Sequence, residues 1–384
     1  MLDPDTLDKV RQQIAACAAE EEQRLTEIRT EARRLKDNVQ TLRPRTATSV
    51  SLVAADGGSN TLRFDPLLLQ IVRVVNSQGR ELFLDVITQN SDIAEISARV
   101  TAEGEDSALA VLMKDLGVSH VWELSPVIPT PKKQRETPRL VSPTWVLVYK
   151  DLCEWAALYR FVTQSAFGTN TLVVRDGLLR SKLFRDGLFI QMCKLMEQAL
   201  ERRKKRDHVT IWLVGIARHS KLVERYRLSL ALENVFPSGE PAYVSVPQEL
   251  ADKTFQWAEY TRPPNEETDG EKPKFNYGSM HLVRFGKASG DPIWSVDLFW
   301  PQQDQAQQIL GCLLQDAAVG FPVPYYPLCL QQAREHAQLA GLDLDILESC
   351  VYKALRDRLS PAERGVLDAM HLNPDPTRTR NESE

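Results

Sequence analysis

The 384-residue sequence contains no C-x-x-C pair. Its six cysteines, Cys17, Cys153, Cys193, Cys312, Cys329 and Cys350, stand far apart, and none has cysteine or histidine neighbours at zinc-ribbon spacing. This excludes a disulfide framework and a small zinc module, and reads as buried thiols in a reducing compartment. No apolar run approaches the roughly 18–20 residues of a membrane helix, and no basic-then-apolar stretch opens the chain. A soluble, cytoplasmic protein with no membrane contact is expected. Excess positive charge is missing too: the formal net charge is -5. That argues against a generally basic nucleic-acid coat, so any contact with phosphate must come from local clusters or bound metal. No internal repeat occurs. At 43% hydrophobic, the chain can bury the core of one large domain or two modest ones.

From about Asp5 to Leu42 glycine and proline are nearly absent, and Leu7, Val10, Ile14, Cys17, Leu25, Ile28, Ala32, Leu35, Val39 and Leu42 recur largely at three- or four-residue steps. This predicts one long amphipathic helix, an arm over residues 1–45. A meander follows, with strands at Val50–Ala55, Leu67–Val75 and Glu81–Ile87 and a hairpin turn at Asn76-Ser77-Gln78-Gly79. Beyond it the pattern predicts helices at Ser107–Leu116 and Trp145–Gln164, a strand at Thr171–Arg175, a helix at Leu183–Arg206, a strand at Val209–Val214 and a helix after Ser220. Strands near Ser279–Phe285 and Ile293–Phe299 and a helix at Gln302–Ala318 complete an α/β pattern with a mixed sheet flanked by helices. The divisions are a main domain over 46–345, with flexible loops near 126–143 and 261–274, C-terminal helices over 346–372 and a disordered tail over 373–384.

Two segments share one grammar. Leu52-Val53-Ala54-Ala55-Asp56-Gly57-Gly58-Ser59 and Leu172-Val173-Val174-Arg175-Asp176-Gly177-Leu178 each run an apolar strand into Asp-Gly. This reads as a buried strand ending on an acid, with glycine freeing the backbone for a sharp exit. The bland alternative is a plain turn, as at Asp186-Gly187 and Asp269-Gly270, which follow no apolar strand. If Asp56 and Asp176 sit on adjacent strands with Glu154 presented by the preceding helix, three carboxylates within about 4–5 Å repel by several kcal/mol, and the site takes up protons or a cation. Oxygen-only ligands favour Mg²⁺ or Mn²⁺. Basic residues nearby, Arg175, Arg180, Lys182, Arg218 and Lys221, are candidates to face a nucleic-acid backbone.

The order Ala55-Asp56-Gly57-Gly58-Ser59, then Glu154, then Val174-Arg175-Asp176-Gly177-Leu178-Leu179, then Val214-Gly215-Ile216-Ala217-Arg218-His219-Ser220, then Tyr326-Pro327-Leu328 resembles the NurA nucleases over roughly residues 50–345. The resemblance implies an RNase H-like core, a homodimer around a DNA channel, Mn²⁺ or Mg²⁺, and action with a HerA-type hexameric ATPase on DNA ends. It implies Asp56, Glu154 and Asp176 as catalytic, metal-binding acids, and Arg218 in place of a lysine. One position departs: where the family has a metal-binding histidine after an alanine, Ala333 is followed by Arg334, and His336 lies two residues on. Residues two apart on a helix point about 200° apart, so His336 could become a ligand only through a shift of the helix, while Arg334 could hold a phosphate. Two other readings are a non-catalytic subunit of an ATPase complex and an actin-like ATPase. The bulk of Leu178 and Leu179 is poor for the phosphate cradle that an actin-like site needs.

Overall fold

A computed structural model of the chain describes residues 3–45, 50–64, 67–88, 91–136, 144–255, 260–264, 274–339 and 341–372. Among the described residues the strands are β1 (Gln40–Thr41), β2 (Ser51–Phe64), β3 (Leu67–Asn76), β4 (Glu81–Thr88), β5 (Thr171–Asp176), β6 (Ile211–Ala217), β7 (Ala242–Ser245), β8 (Gly278–Arg284) and β9 (Ile293–Phe299). They form one sheet in the order β1-β7-β8-β9-β6-β5-β2-β3-β4. The β2–β5 and β5–β6 pairs are parallel and the others antiparallel, so the mixed sheet expected from the sequence is present.

The helices are α1 (Pro4–Glu20), α2 (Glu22–Lys36), α3 (Ile93–Glu103), α4 (Ala108–Leu116), α5 (Val121–Leu124), α6 (Pro131–Glu136), α7 (Trp145–Gln164), α8 (Leu188–Asp207), α9 (Lys221–Leu232), α10 (Gln248–Thr254), α11 (Ala306–Ala318), α12 (Leu328–Ala337), α13 (Gly341–Arg356) and α14 (Pro361–Leu372). Side-chain alternation sorts them into layers. Along β5, Val173 points into a core with Trp155 of α7 and Phe189 of α8, whereas Leu172 and Val174 point into a second core with Ile309 of α11 and Leu330 of α12. A third core packs Ala32 and Leu35 of α2 and Tyr226 of α9 against Val244 and Leu282. Covered on both faces, β6 is buried at every position, which explains its unbroken apolar run.

Three expectations need correction. The single long N-terminal helix is two helices, interrupted at Glu21. Its apolar stripe lapses between Cys17 and Leu25, across the run of like charges Glu20-Glu21-Glu22 in the sequence. The helix also stops at Lys36, because Gln40 and Thr41 pair with β7 as an edge strand. Finally, the first Asp-Gly is no corner: β2 continues through Gly57 and Gly58 to Phe64, and only Gly177, at φ 110°, makes the expected exit. The Pro-rich stretch carries the short helix α6. The rest of that loop (137–143), most of the second expected loop (265–273) and the tail (373–384) lie outside the described residues.

α2 is held by charge as well as by its apolar face. Glu31, 8% exposed, accepts hydrogen bonds from Tyr226 Oη at 2.7 Å and Lys253 Nζ at 2.5 Å. One turn on, Glu233 accepts from Arg29 and Arg33, both at 2.5 Å. Of these partners Tyr226 is the one shielded from water, at 1% exposed, so its bond to Glu31 carries most of the docking energy. Glu31→Ala strands the buried Tyr226 hydroxyl and should lower unfolding stability by about 2–3 kcal/mol in urea titrations. Glu233→Ala, with its arginine partners largely exposed, should cost much less.

Candidate metal and nucleic-acid site

The parallel ladder between β2 and β5 ends at Ala55 opposite Arg175. The next residue on each strand is an acid, Asp56 and Asp176, and neighbours in a parallel pair project to the same face. Because β5 stops there while β2 runs on to Phe64 with β3, the β5-facing edge of β2 opens into a notch beside the two acids.

Glycine at 57 and 58 sets the fit of this region. A Cβ at Gly57 would collide with Glu154 Oε1 of α7, and a Cβ at Gly58 with the Ala337 carbonyl of α12. The two helices therefore clamp β2 from opposite faces. Gly58 looks at α12, so Asp56, two residues before it, shares the α12 face; Glu154 presses on Gly57 from the α7 face.

Asp56 is 9% exposed, and its Oδ1 accepts from the Gly57 amide at 2.8 Å. Burial, and next the charge of Asp176, push its carboxyl from 3.8 up to about 6, against the pull of Lys150 and Arg334. Asp176 Oδ1 accepts from Tyr326 Oη at 3.0 Å. Tyr326 is buried, packs against Trp294 at 4.9 Å between centroids, and carries the Arg218 guanidinium 5.4 Å from its ring centre. Burial above all, then Asp176, raises its phenol well above the usual range, so it stays a donor. Sequence reasoning named Tyr326 only inside a motif; an aromatic just before a Pro-started helix was the available signal.

Glu154 is held differently. Lys150 Nζ lies 3.1 Å from its Oε1 and Arg175 4.0 Å from its Oε2. The Lys150 contact has the distance of an ion pair without hydrogen-bond alignment, so Oε1 is a buried oxygen lacking a hydrogen bond. Burial drives this carboxyl above its usual range, opposed chiefly by Lys150, with Asp151 and Asp56 adding to the rise. Among the described residues no three His, Cys, Asp or Glu side chains stand together as a metal cage. What the structure does bring together is the Asp56–Asp176 pair, with Glu154 across the strand. Two repelling carboxylates that offer oxygen donors only, Asp56 and Asp176, fit a hard divalent cation, while the Glu154 oxygen is already met by the Lys150 ammonium.

The basic candidates divide. Arg175, Lys182 and Lys221, with His219 and Tyr260, line a cavity of about 440 Å³ beside Gly177. Arg175 stacks on Trp155 at 4.1 Å, which fixes its guanidinium. Burial and the charge of Lys221 lower the Lys182 pKa, as expected of two ammonium groups facing one cavity. Arg218 belongs to the acid side through Tyr326, and Arg334, exposed on α12, acts on Asp56.

Two residues have partners that the sequence did not suggest. Arg180 also lines the cavity, but it is buried and grips the fully buried Asp297 with two bonds of 2.7 and 2.8 Å. The strand signal for β9 concealed Asp297 as its partner. His336, as its helical offset implies, points elsewhere: its ring lies against Gly79 in the β3–β4 turn, while its carbonyl accepts from Arg73 at 2.8 Å.

No family model and no curated protein matches the sequence. Solved structures similar to the chain include the NurA nuclease from Sulfolobus solfataricus, 12% identical with a TM-score of 0.40, over 94% of this chain and 99% of that one. A NurA structure with manganese is 14% identical, TM-score 0.36, over 94% and 100%. Another, bound to dAMP and manganese, is 13% identical, TM-score 0.34, over 88% and 94%. Among the described residues no helix is long and apolar enough to cross a membrane.

Two outcomes follow from these environments. Arg180→Ala leaves the Asp297 carboxylate buried and unpaired and should cost about 3–5 kcal/mol in unfolding free energy, where a mere surface phosphate contact would cost almost nothing. Asp56, at about 6 when folded and 3.8 when free, has a raised pKa, so its charge weakens the fold above pH 6 and has no effect below about pH 4. At ~1.4 kcal/mol per factor of ten this cost is about 3 kcal/mol. Asp56→Asn should therefore raise the melting temperature of metal-free protein at pH 8 and leave it unchanged at pH 3.5, read by calorimetry.

Proposed function

We propose that the chain is a divalent-metal-dependent deoxyribonuclease that hydrolyses phosphodiesters in single-stranded DNA and at DNA ends. One observation carries this reading: Asp56 and Asp176, at the ends of neighbouring parallel strands, lie side by side where burial first, and the charge of Asp176 second, push the Asp56 carboxyl up to about 6. A three-strand meander continued by two parallel strands supports the RNase H-like reading, and the sequence resemblance to the NurA nucleases agrees with it.

In this reading Asp56 and Asp176 hold the ion, Mn²⁺ or Mg²⁺. When bound, it would polarise the phosphodiester and ease deprotonation of a water. Tyr326 fixes the rotamer of Asp176 by its 3.0 Å hydrogen bond. Arg218 and Arg334 offset charge on the α12 side. Arg175, Lys182 and Lys221 meet backbone phosphates at the cavity mouth, and the aromatic wall there can take a base. Glu154, kept against Gly57 by Lys150 and Arg175, is the acid positioned to accept or return a proton beside the pair. The resemblance extends the proposal to a homodimer, to a HerA-type hexameric ATPase partner and to a role in DNA repair or anti-phage defence in the cytoplasm.

The direct test incubates the purified chain with labelled single-stranded DNA and Mn²⁺. Cleavage should vanish with EDTA and fall about 100-fold or more in Asp56→Asn and Asp176→Asn. Binding without cleavage under any divalent metal would overturn the reading in favour of a non-catalytic subunit. Coexpression with a neighbouring hexameric ATPase, followed by pull-down, tests the partner.

A further inference from the structure

Lys150 has a setting that helix stability does not explain. In an i, i+4 pair the favourable order places the acid first, and here the lysine precedes Glu154. The ammonium is also largely withdrawn from water, its side chain only 20% exposed, a costly position for an ordinary helix ion pair. Its surroundings offer the compensation. Three oxygens of three residues converge on Nζ: Glu154 Oε1 at 3.1 Å, the Gly57 carbonyl at 3.4 Å and Asp151 Oδ1 at 3.6 Å. Two carboxylates and a backbone carbonyl are the donor set of a hard divalent cation, and here a monovalent ammonium is at its centre.

Resting on the metal-nuclease reading above, we propose that the Lys150 ammonium takes the place that a second ion would occupy in a two-metal site, so that the chain binds one divalent ion, at Asp56 and Asp176. Two-metal phosphodiesterases use two neighbouring positive charges, about 3.5–4 Å apart, to stabilise both the attacking and the leaving oxygen; the Lys150 oxygens come from Glu154, Gly57 and Asp151, and its charge reaches Asp56 through space. A lysine tethered to α7 supplies one of those charges permanently and holds Glu154 out of the ligand sphere. Because the same ammonium bonds the Gly57 carbonyl, it also ties α7 to the strand that carries Asp56. Lys150 is thus a positioning residue that acts through Glu154 and β2.

The experiment counts ions on the full chain without DNA, by electron paramagnetic resonance of free Mn²⁺ and by calorimetric titration. Wild type should bind about one Mn²⁺ per chain. Lys150→Met, which keeps the stem and removes the charge, should bind about two, and Lys150→Arg should return to one. Glu154→Gln, which does not depend on the folding of the Lys150 variants, should keep the single ion with its affinity changed less than about threefold. Two ions in wild type, one ion in a folded Lys150→Met, or loss of the ion in Glu154→Gln would each overturn the proposal. The last two of these outcomes, like two ions in wild type, leave a metal site at Asp56 and Asp176 or its neighbourhood standing; no ion bound by wild type removes the nuclease reading itself and this proposal with it.

Discussion

The close approach of two helices to a single strand is the constraint on which the rest of the site depends. β2 lies between α7 and α12 at the spacing that two side chains of hydrogen permit, Gly57 beneath Glu154 and Gly58 beneath the Ala337 carbonyl. Interiors are packed densely enough that this clearance fixes both helices relative to Asp56. It brings the acid of α7, the arginine of α12 and the strand-end aspartates into one electrostatic neighbourhood, although they arise from four distant parts of the sequence.

Within that neighbourhood charge is distributed unequally. Glu154 has two cations close by, Arg180 and Asp297 neutralise each other out of reach of solvent, and Asp56 and Asp176 take one hydrogen bond each, from the Gly57 amide and Tyr326 Oη, with Lys150 and Arg334 pulling on Asp56 from farther off. Buried carboxylates are normally neutralised by a paired cation, so two left to repel across adjacent strands store free energy that a ligand can release. The neighbouring cavity has the opposite sign, with Lys182 and Lys221 facing it, and the divide between the two runs along the ends of β5 and β6.

Much of this was legible in the chain and some could not have been. The helix over Trp145–Gln164 and the strand over Ile293–Phe299 match the sequence reading residue for residue, since long periodic apolar runs without breakers have one solution. Asp-Gly was read as one signal and proved to be two. At Gly177 the missing side chain permits a positive φ; at Gly57 it permits contact, and only the distant Glu154 makes the difference. The ion pair of Arg180 was hidden for a similar reason: a basic residue in a loop looks exposed until its partner, 117 positions away, is in place. The helix α3 and the strand β7 went unread because their apolar residues lean on parts of the fold that local spacing does not reveal.

The contact of Gly58 with the last turn of α12 also limits how this site could change over generations. With the Ala337 carbonyl seated on a bare backbone, the helix sits too close to β2 for any side chain at position 58. In that seating the charge at position 334 acts on Asp56, and His336 lies at the hairpin. A lineage could exchange guanidinium for imidazole here by altering a single codon, but not by letting the helix drift.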